Sequence, residues 1–109
     1  MRCFCAMMQA RLFLYILKMK FEWDPDKNES NDRKHDISFE EASTVWTDER
    51  ALIVPDPEHS FGEEREWIIG VSAWDHLMVV VFTQRGRQIR IISARPVNRA
   101  EREGYVRQC

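Results

Sequence analysis

The sequence predicts an α+β fold in which helices lie on one face of an antiparallel sheet of three to four main strands. Two helix starts near the beginning of the domain and a third near its end predict the helical layer. The apolar run Met78 to Phe82 leads into the turn Arg85-Gly86-Arg87 and returns as an alternating segment, which is the pattern of a central hairpin.

The N-terminal part of the domain begins with a short strand and two helices. Phe21 to Trp23 predicts the strand, and Asp24-Pro25 starts a helix because Asp caps well and Pro suits the first turn. That helix runs to about Lys34 without a large apolar residue, so it is either weakly held or displayed for a reason. Ser38 to Glu41 predicts a capping box for the second helix. Its predicted buried face contains Phe39, Ala42, Val45 and Trp46.

The rest of the domain is strand-rich. Its predicted strands are Ala51 to Val54, Glu64 to Ser72, Leu77 to Thr83 and Arg87 to Arg95. Trp67, Ile69 and Val71 share one face by their alternation. Leu77 to Thr83 is apolar enough to be a central strand buried on both faces. Pro96 breaks the last strand, and Asn98 with Glu101 predicts the capping box of a final helix.

Length and cysteine usage indicate one small domain in a reducing cytoplasm. The chain has 109 residues, and residues 19–109 form the predicted domain. Residues 1–18 differ in character, which predicts a dispensable extension ahead of a start at Met19; an amphipathic anchor is the alternative. Cys3, Cys5 and Cys109 lie at the chain ends, which is unlike a disulfide framework, and nothing near the first two completes a metal site.

Charge is unevenly distributed along the chain. Residues 19–75 contain six Lys/Arg against sixteen Asp/Glu, whereas residues 76–109 contain seven against two. Such asymmetry favours a basic C-terminal part that faces a polyanion, and a mixed solvated surface is the alternative. Arg90 stands between isoleucines in a predicted core strand, and a buried arginine without a partner is costly. An anion-binding role for this strand follows.

A set of residues spread from Met19 onward carries a family resemblance. It comprises Phe21 to Pro25, Lys27, Asn31, Lys34-His35, Ser38 to Ala42, Asp56-Pro57, His59-Ser60, Glu64-Arg65, Ile69-Gly70, Ser72, Thr83, Arg85, Ile89 to Arg95, Glu101 and Tyr105. In these residues the chain resembles the BrnT family of toxins. The resemblance implies a small ribonuclease with a RelE-like fold that inhibits translation. It also implies a ribbon-helix-helix antitoxin, BrnA, in a 2:2 complex that reaches operator DNA through the antitoxin.

Two positions depart from the family pattern. Asp36 stands where the family usually has Gly, which predicts an altered turn into the second helix. Ala73 to His76 replaces a turn that is commonly basic and glycine-containing, and His76 is expected to be a solvated turn residue. The loss of positive charge there predicts a weaker hold on RNA or a changed preference.

Metal-independent RNA cleavage needs a held phosphate and groups that move protons. Arg90 and Arg95 are the predicted phosphate holders, since a guanidinium fork suits phosphate oxygens. Their odd spacing places them on opposite faces of a strand unless a bulge intervenes. The structural alternative for each is an ion pair with Glu22, Glu64 or Glu101.

His35 and His59 are the predicted proton-transfer residues, because histidine titrates near neutral pH. His35 could instead clamp phosphate or cap its helix, and His59 could be a turn residue bonded to Asp56. Further contacts to RNA are expected from Lys27, Asn31, Lys34, Arg85, Arg87 and Trp74. Lys27 and Asn31 alternatively face water, and Trp46 and Trp67 are expected in the core.

Two classes of function follow from these patterns. The first is an endoribonuclease toxin that needs no cofactor or metal and acts on RNA. The second is a non-enzymatic protein-binding module of the same fold, whose charge asymmetry serves a protein partner alone. The chain contains no P-loop, dinucleotide fingerprint or nucleophile elbow.

Overall fold

The computed structural model describes residues 19–56 and 64–108. Within these residues the elements, in order, are β1 (Lys20–Glu22), α1 (Pro25–His35), α2 (Phe39–Ser43, continued by a 3-10 turn at Thr44–Thr47), β2 (Leu52–Pro55), β3 (Glu66–Val71), β4 (Leu77–Arg85), β5 (Gln88–Pro96) and α3 (Arg99–Arg107). The α+β class is confirmed. None of these helices has the length and apolar character needed to cross a membrane.

The sheet is mixed and five-stranded, which corrects the prediction of an antiparallel sheet with three to four main strands. Its strand order is β1-β5-β4-β3-β2. β1 runs parallel to β5, and the other neighbours are antiparallel. The pairing that the sequence does not predict is the one between β1 and β5. It brings Glu22 of β1 beside Gln88 of β5, which lies 66 residues further along the chain. No local pattern encodes a partner at that distance, so the sequence does not predict it.

Helices cover both faces of the sheet, whereas the prediction placed them on one. Met78, Val80 and Phe82 of β4 point into a core that includes the buried residues of α2 and of the 3-10 turn. Val79 points the other way and clusters with Ile69 and with Tyr105 of α3. An apolar strand in the middle of a sheet has two faces to shield from water, and this explains the division of the helices.

Hydrogen bonds, not apolar contacts, fix the polar helix α1. The amide of the buried Asn31 donates to the Ile37 carbonyl at 2.9 Å and accepts from the Ala94 N–H at 3.1 Å. Asn28 accepts from the Phe39 N–H at 2.8 Å. Buried backbone groups need partners of this kind, so α1 is tied to β5 and to α2 without a hydrophobic stripe.

Of the two predicted capping boxes, the one at Asn98 is complete and the one at Ser38 is only half formed. Asn98 and Glu101 form the complete reciprocal box that starts α3. Ser38 accepts from the Glu41 N–H at 3.1 Å, but the Glu41 carboxylate turns away from the helix start. It accepts from Ser72 Oγ at 2.7 Å and contacts His76 Nδ1 at 2.6 Å. His76 is the exposed turn residue that the sequence predicts, with 61% of its side chain accessible, and it also holds the Glu41 carboxylate of α2.

Candidate functional site

A β-bulge in β5 decides which arginines share a face. Val81 pairs with Ser93 and the next residue, Phe82, pairs with Ile91, so Ile92 is the extra residue. The bulge reverses the alternation of the strand. Arg90 pairs with Thr83 and Arg95 with Val79, two positions of β4 that point to the same side. The two arginines therefore lie on one face of the sheet. Without the bulge, their odd spacing would place them on opposite faces.

The first groove lies on this face near the β4–β5 turn. It has a volume of about 250 Å³ and is lined by Glu22, Thr83, Arg85, Gln88 and Arg90. Four of these residues come from paired positions of β4 and β5, and Glu22 is added by the short parallel strand β1. All five side chains are polar or charged, so the groove suits a polar or anionic group.

Arg90 and Glu22 form an ion pair within the first groove. Arg90 Nη1 lies 3.3 Å from Glu22 Oε2, and the two side chains are 48% and 41% exposed. Gln88 Nε2 donates to Glu22 Oε1 at 2.6 Å. The neighbouring isoleucines, Ile89 and Ile91, are buried on the opposite face. Arg90 is thus solvent-accessible, which corrects its prediction as a buried arginine, and Glu22 is the expected intramolecular partner.

Arg95 is held more firmly than Arg90. Its Nη1 and Nη2 donate to the two carboxylate oxygens of Glu101 at 2.8 and 2.7 Å, which ties β5 to α3. Its guanidinium also stands 5.4 Å from the centre of the Trp67 ring. The hydrogen bond from Arg95 lowers the pKa of Glu101, although partial burial opposes this. The hydrogen bond to Glu101 in turn raises the pKa of Arg95.

The second groove runs between α1 and β5, beside the bulge. Its volume is about 440 Å³, and it is lined by Asp26, Lys27, Ser30, Asn31, Lys34, His35 and residues 92–95. Lys27 and Lys34 are exposed on the face of α1 that carries Asn31. The Asn31 amide makes two hydrogen bonds within the fold, and its predicted contact with RNA stays a prediction.

The two grooves divide the predicted catalytic residues. Arg90 lines the first groove, whereas His35 and Arg95 line the second. At a rise of about 3.3 Å per residue, five positions of a strand place the Cα atoms of Arg90 and Arg95 on the order of 15 Å apart. The two side chains therefore start from well-separated points of β5 and line different grooves.

The remaining predicted residues lie apart from one another. Arg87 is exposed in the β4–β5 turn, beside Gly86, whose φ of 59° is the left-handed conformation that glycine readily adopts. Trp74 is exposed in the β3–β4 turn, at the other end of β4 from Arg85. His59 lies outside the described residues. Trp46 is in the core, as predicted.

Glu22, Gln88 and Thr83 are site residues that the sequence did not single out. Glu22 and Thr83 are among the residues that carry the family resemblance, and Glu22 is also a predicted pairing partner of arginine, but neither is a predicted site residue. A weak signal exists for two of them: Glu22 alternates with Phe21 and Trp23, and Gln88 precedes Arg90 by two, so both lie on the polar side of their strands. In the described parts of the chain, no group of three or more His, Cys, Asp or Glu side chains is placed to hold a metal ion.

Comparison with known proteins places this architecture in a family. The fold is similar to the 1.1 Å crystal structure of the Brucella abortus ribonuclease toxin BrnT, with a TM-score of 0.58 and 24% sequence identity. That similarity covers 74% of this chain and 99% of the Brucella chain. No curated protein sequence matches this chain. The sequence model of the ribonuclease toxin BrnT, of type II toxin–antitoxin systems, matches residues 23–101. Since that match covers most of the chain, the protein belongs to the BrnT family of type II toxin–antitoxin ribonuclease toxins.

Proposed function

We propose that this chain is an endoribonuclease toxin that cleaves RNA without a metal ion and so inhibits translation. Membership of the BrnT family supports the ribonuclease class. The observation that carries the proposal is the bulge in β5, which brings Arg90 and Arg95 onto the face that also carries Arg85. Three guanidinium groups on one sheet face are suited to a strand of phosphates. Arg85 and Arg90 offer planar forks of donors in the first groove, and Arg95 adds positive charge although its fork donates to Glu101.

In this proposal the scissile phosphate binds in the first groove. Arg90 donates to its oxygens and stabilises the charge that builds up on the phosphorus centre, with Arg85 beside it and Arg87 at the turn. RNA must displace Glu22 from Arg90, and exposed ion pairs contribute only about 0–1 kcal/mol. The displacement therefore costs little compared with the phosphate contacts that replace the pair.

The second groove binds the neighbouring part of the RNA backbone. Lys27, Lys34 and Arg95 line it and contact phosphates next to the cleaved one. His35 lines this groove and clamps phosphate there. His59 is the proposed proton donor. Trp74 lies at the far end of β4, so it stacks on a base only when the bound RNA extends that far.

The proposed partner is a ribbon-helix-helix antitoxin of the BrnA type in a 2:2 complex in the cytoplasm. It neutralises the toxin by covering the arginine-bearing face, and the complex contacts operator DNA only through the antitoxin. Family membership supports an antitoxin partner. The basic character of residues 76–109 supports an acidic segment of the antitoxin as the covering part.

One observation favours the non-enzymatic alternative. Arg90 and Arg95 are each paired with a carboxylate of their own chain, Glu22 and Glu101, so both arginines have roles within the fold. A protein-binding module with the same fold would use these ion pairs as structural ties. Under that alternative, the wild-type chain cleaves no RNA, and replacement of Arg90 changes only stability or complex formation.

The test is cleavage of labelled free RNA by the purified full chain, with and without EDTA, beside its Arg90→Ala and His35→Ala variants. We expect EDTA-resistant cleavage that falls about 10²–10³-fold in Arg90→Ala, the usual effect of removing one donor to a developing charge. Arg99→Ala is the matched control, since Arg99 is an exposed arginine of α3 outside both grooves. Circular dichroism verifies each fold. A wild-type chain that leaves free RNA intact would contradict the proposal.

A further inference from the structure

We propose that Glu22 is the general base of the RNA cleavage, an inference that rests on the proposed function. In this role its carboxylate accepts the proton of the ribose 2′-hydroxyl next to the phosphate that Arg90 holds. The juxtaposition of a half-exposed carboxylate with Arg85 and Arg90 in one groove carries the inference.

The fold places Glu22 at the groove through its neighbours in β1. Phe21 packs edge-on against Trp46, with ring centres 5.1 Å apart, in the core on the α2 side of the sheet. Side chains alternate along a strand, so Glu22 points to the opposite side. The parallel register sets Glu22 beside Arg90. A strand of only three residues thus exists at the sheet edge with a carboxylate aimed at the phosphate-binding arginine.

Two donors hold the Glu22 carboxylate before RNA binds, and once phosphate takes Arg90, Gln88 still orients it and more of its acceptor capacity is unused. Gln88 donates to Oε1 at 2.6 Å, and Arg90 donates to Oε2 at 3.3 Å. An ionised carboxylate has about four acceptor positions, so a substrate hydroxyl still finds a lone pair. The side chain is 41% exposed, which leaves it accessible from the groove.

Other carboxylates close to the sheet are used differently. Glu41 is buried and bound by Ser72 and His76, and Glu101 is bound by both ends of the Arg95 guanidinium and by the Asn98 N–H. These contacts connect helices to the sheet, so they serve the fold. Glu22 connects only two adjacent strands, and its contacts are with residues that line the same groove.

The size of the groove fits the reacting part of an RNA strand. Its volume of about 250 Å³ corresponds to roughly eight water molecules at the density of the liquid. A phosphodiester group with part of one ribose is of that size. The 2′-hydroxyl is joined to the scissile phosphate through two ring carbons and the 3′-oxygen. A phosphate on Arg90 therefore brings this hydroxyl to the rim where Glu22 stands.

The proposed step is an internal transfer that needs no water and no co-reactant. Glu22 takes the proton from the 2′-hydroxyl, and the 2′-oxygen forms a bond to phosphorus. The bond from phosphorus to the 5′-oxygen breaks, and that oxygen takes a proton from a general acid, while Glu22 later releases the proton it accepted to solvent, which recharges that acid. The products are a 2′,3′-cyclic phosphate and a 5′-hydroxyl end.

The competing explanation is that Glu22 merely occupies Arg90 until RNA arrives. The Glu22→Gln variant separates the two explanations because it keeps the shape and removes the basic oxygen. If Glu22 is the base, cleavage falls by about 10²–10⁴-fold, the range typical of general-base catalysis. If Glu22 only fills the place of phosphate, its neutralisation frees Arg90, and cleavage stays the same or rises.

The experiment compares the full chain with its Glu22→Gln variant on a labelled RNA under single-turnover conditions. Binding is measured separately with the same RNA carrying 2′-deoxyribose at the cleaved position, which cannot react. We expect a lost rate with binding retained or tightened, and a cyclic phosphate end on the wild-type product. Glu29→Gln is the matched control, because Glu29 is exposed on α1 and pairs with Arg33 away from both grooves.

Three results would overturn the assignment of Glu22. Cleavage by Glu22→Gln within about threefold of wild type rejects the base, and so does a loss of rate matched by an equal loss of binding, which indicates a positioning role. A wild-type product that ends in a simple 3′-phosphate from the outset rejects the step itself. Wild-type protein that cleaves no RNA rejects the proposed function and this inference together, an outcome distinct from the other three.

Discussion

Replacement of Glu101 by Gln tests whether the Arg95–Glu101 pair stabilises the domain through charge. The carboxylate accepts from Arg95 Nη1 and Nη2 and from the Asn98 N–H, so it serves both the arginine and the start of α3. A glutamine keeps one acceptor oxygen for Asn98 and for one nitrogen of the guanidinium. The other guanidinium nitrogen then faces an amide that cannot accept from it.

The expected loss of stability follows from the burial of the pair. Hydrogen bonds to charged groups contribute about 1.5–3 kcal/mol, and breaking a fully buried ion pair costs about 3–5 kcal/mol. The Glu101 side chain is only 12% exposed, but that of Arg95 is 34% exposed, so water replaces part of what is lost. We therefore expect Glu101→Gln to lower the free energy of unfolding by about 1–2 kcal/mol. For a domain of this size, that corresponds to a fall in Tm of about 5–15 °C.

The effect of the substitution is expected to depend on pH in a defined direction. The hydrogen bond from Arg95 lowers the pKa of Glu101 in the folded protein. The ionised carboxylate therefore contributes stability above its unfolded-state pKa of about 4.3, and this contribution is lost as the pH falls through the lower folded-state value. The raised pKa of Arg95 keeps that group charged throughout. The stability difference between wild type and variant should be full at neutral pH and shrink in acid.

Urea unfolding followed by tryptophan fluorescence, from pH 7 down to about pH 3, measures this difference directly. Glu103→Gln is the matched control, because Glu103 lies on the same helix and is 52% exposed in its contacts with Arg99 and Arg107. The control should change stability by less than about 0.5 kcal/mol. A stability difference for Glu101→Gln that stays constant over this pH range would refute the electrostatic explanation.

Two further predictions concern α1. Asn31→Ala leaves the Ile37 carbonyl and the Ala94 N–H without their partner, so the free energy of unfolding should fall by about 2–4 kcal/mol; a fall below about 0.5 kcal/mol in urea unfolding would mean that these bonds do not fix the helix. Asp36 has φ 58° and ψ 37°, a left-handed conformation that glycine adopts without strain. Asp36→Gly, which restores the residue usual in the family, should raise Tm by a few degrees, corresponding to about 0.5–1 kcal/mol, and an unchanged or lower Tm in thermal unfolding would contradict this.

Local rules predicted the elements whose causes are local. The Asp24-Pro25 start of α1, the complete box at Asn98 and Glu101, and the shared face of Trp67 and Ile69 all agree with the structure. Each depends on residues within a few positions of one another. The capping box at Ser38 was half right, because Glu41 found Ser72 and His76, which are far away in sequence.

The arrangement of the candidate site depended on contacts that the sequence does not display. Whether Arg90 and Arg95 share a face is decided by one extra residue in β5, and several positions in an alternating segment can accommodate a bulge. Glu22 belongs to the first groove only because β1 pairs in parallel with β5, a strand that lies far along the chain. The resemblance to BrnT named several of these residues but not their division between two grooves.

By itself, the sequence determined the class of the fold, the helix starts, the central apolar strand and the family. These follow from the spacing of apolar residues and from capping chemistry, which act over a single turn or a pair of strands. Only the tertiary structure decided the order of the strands, the coverage of both faces, the pairing of each arginine with its carboxylate and the position of Glu22 beside Arg90. Those features arise where segments distant in sequence meet, and their energies depend on burial and on partners that no local pattern specifies.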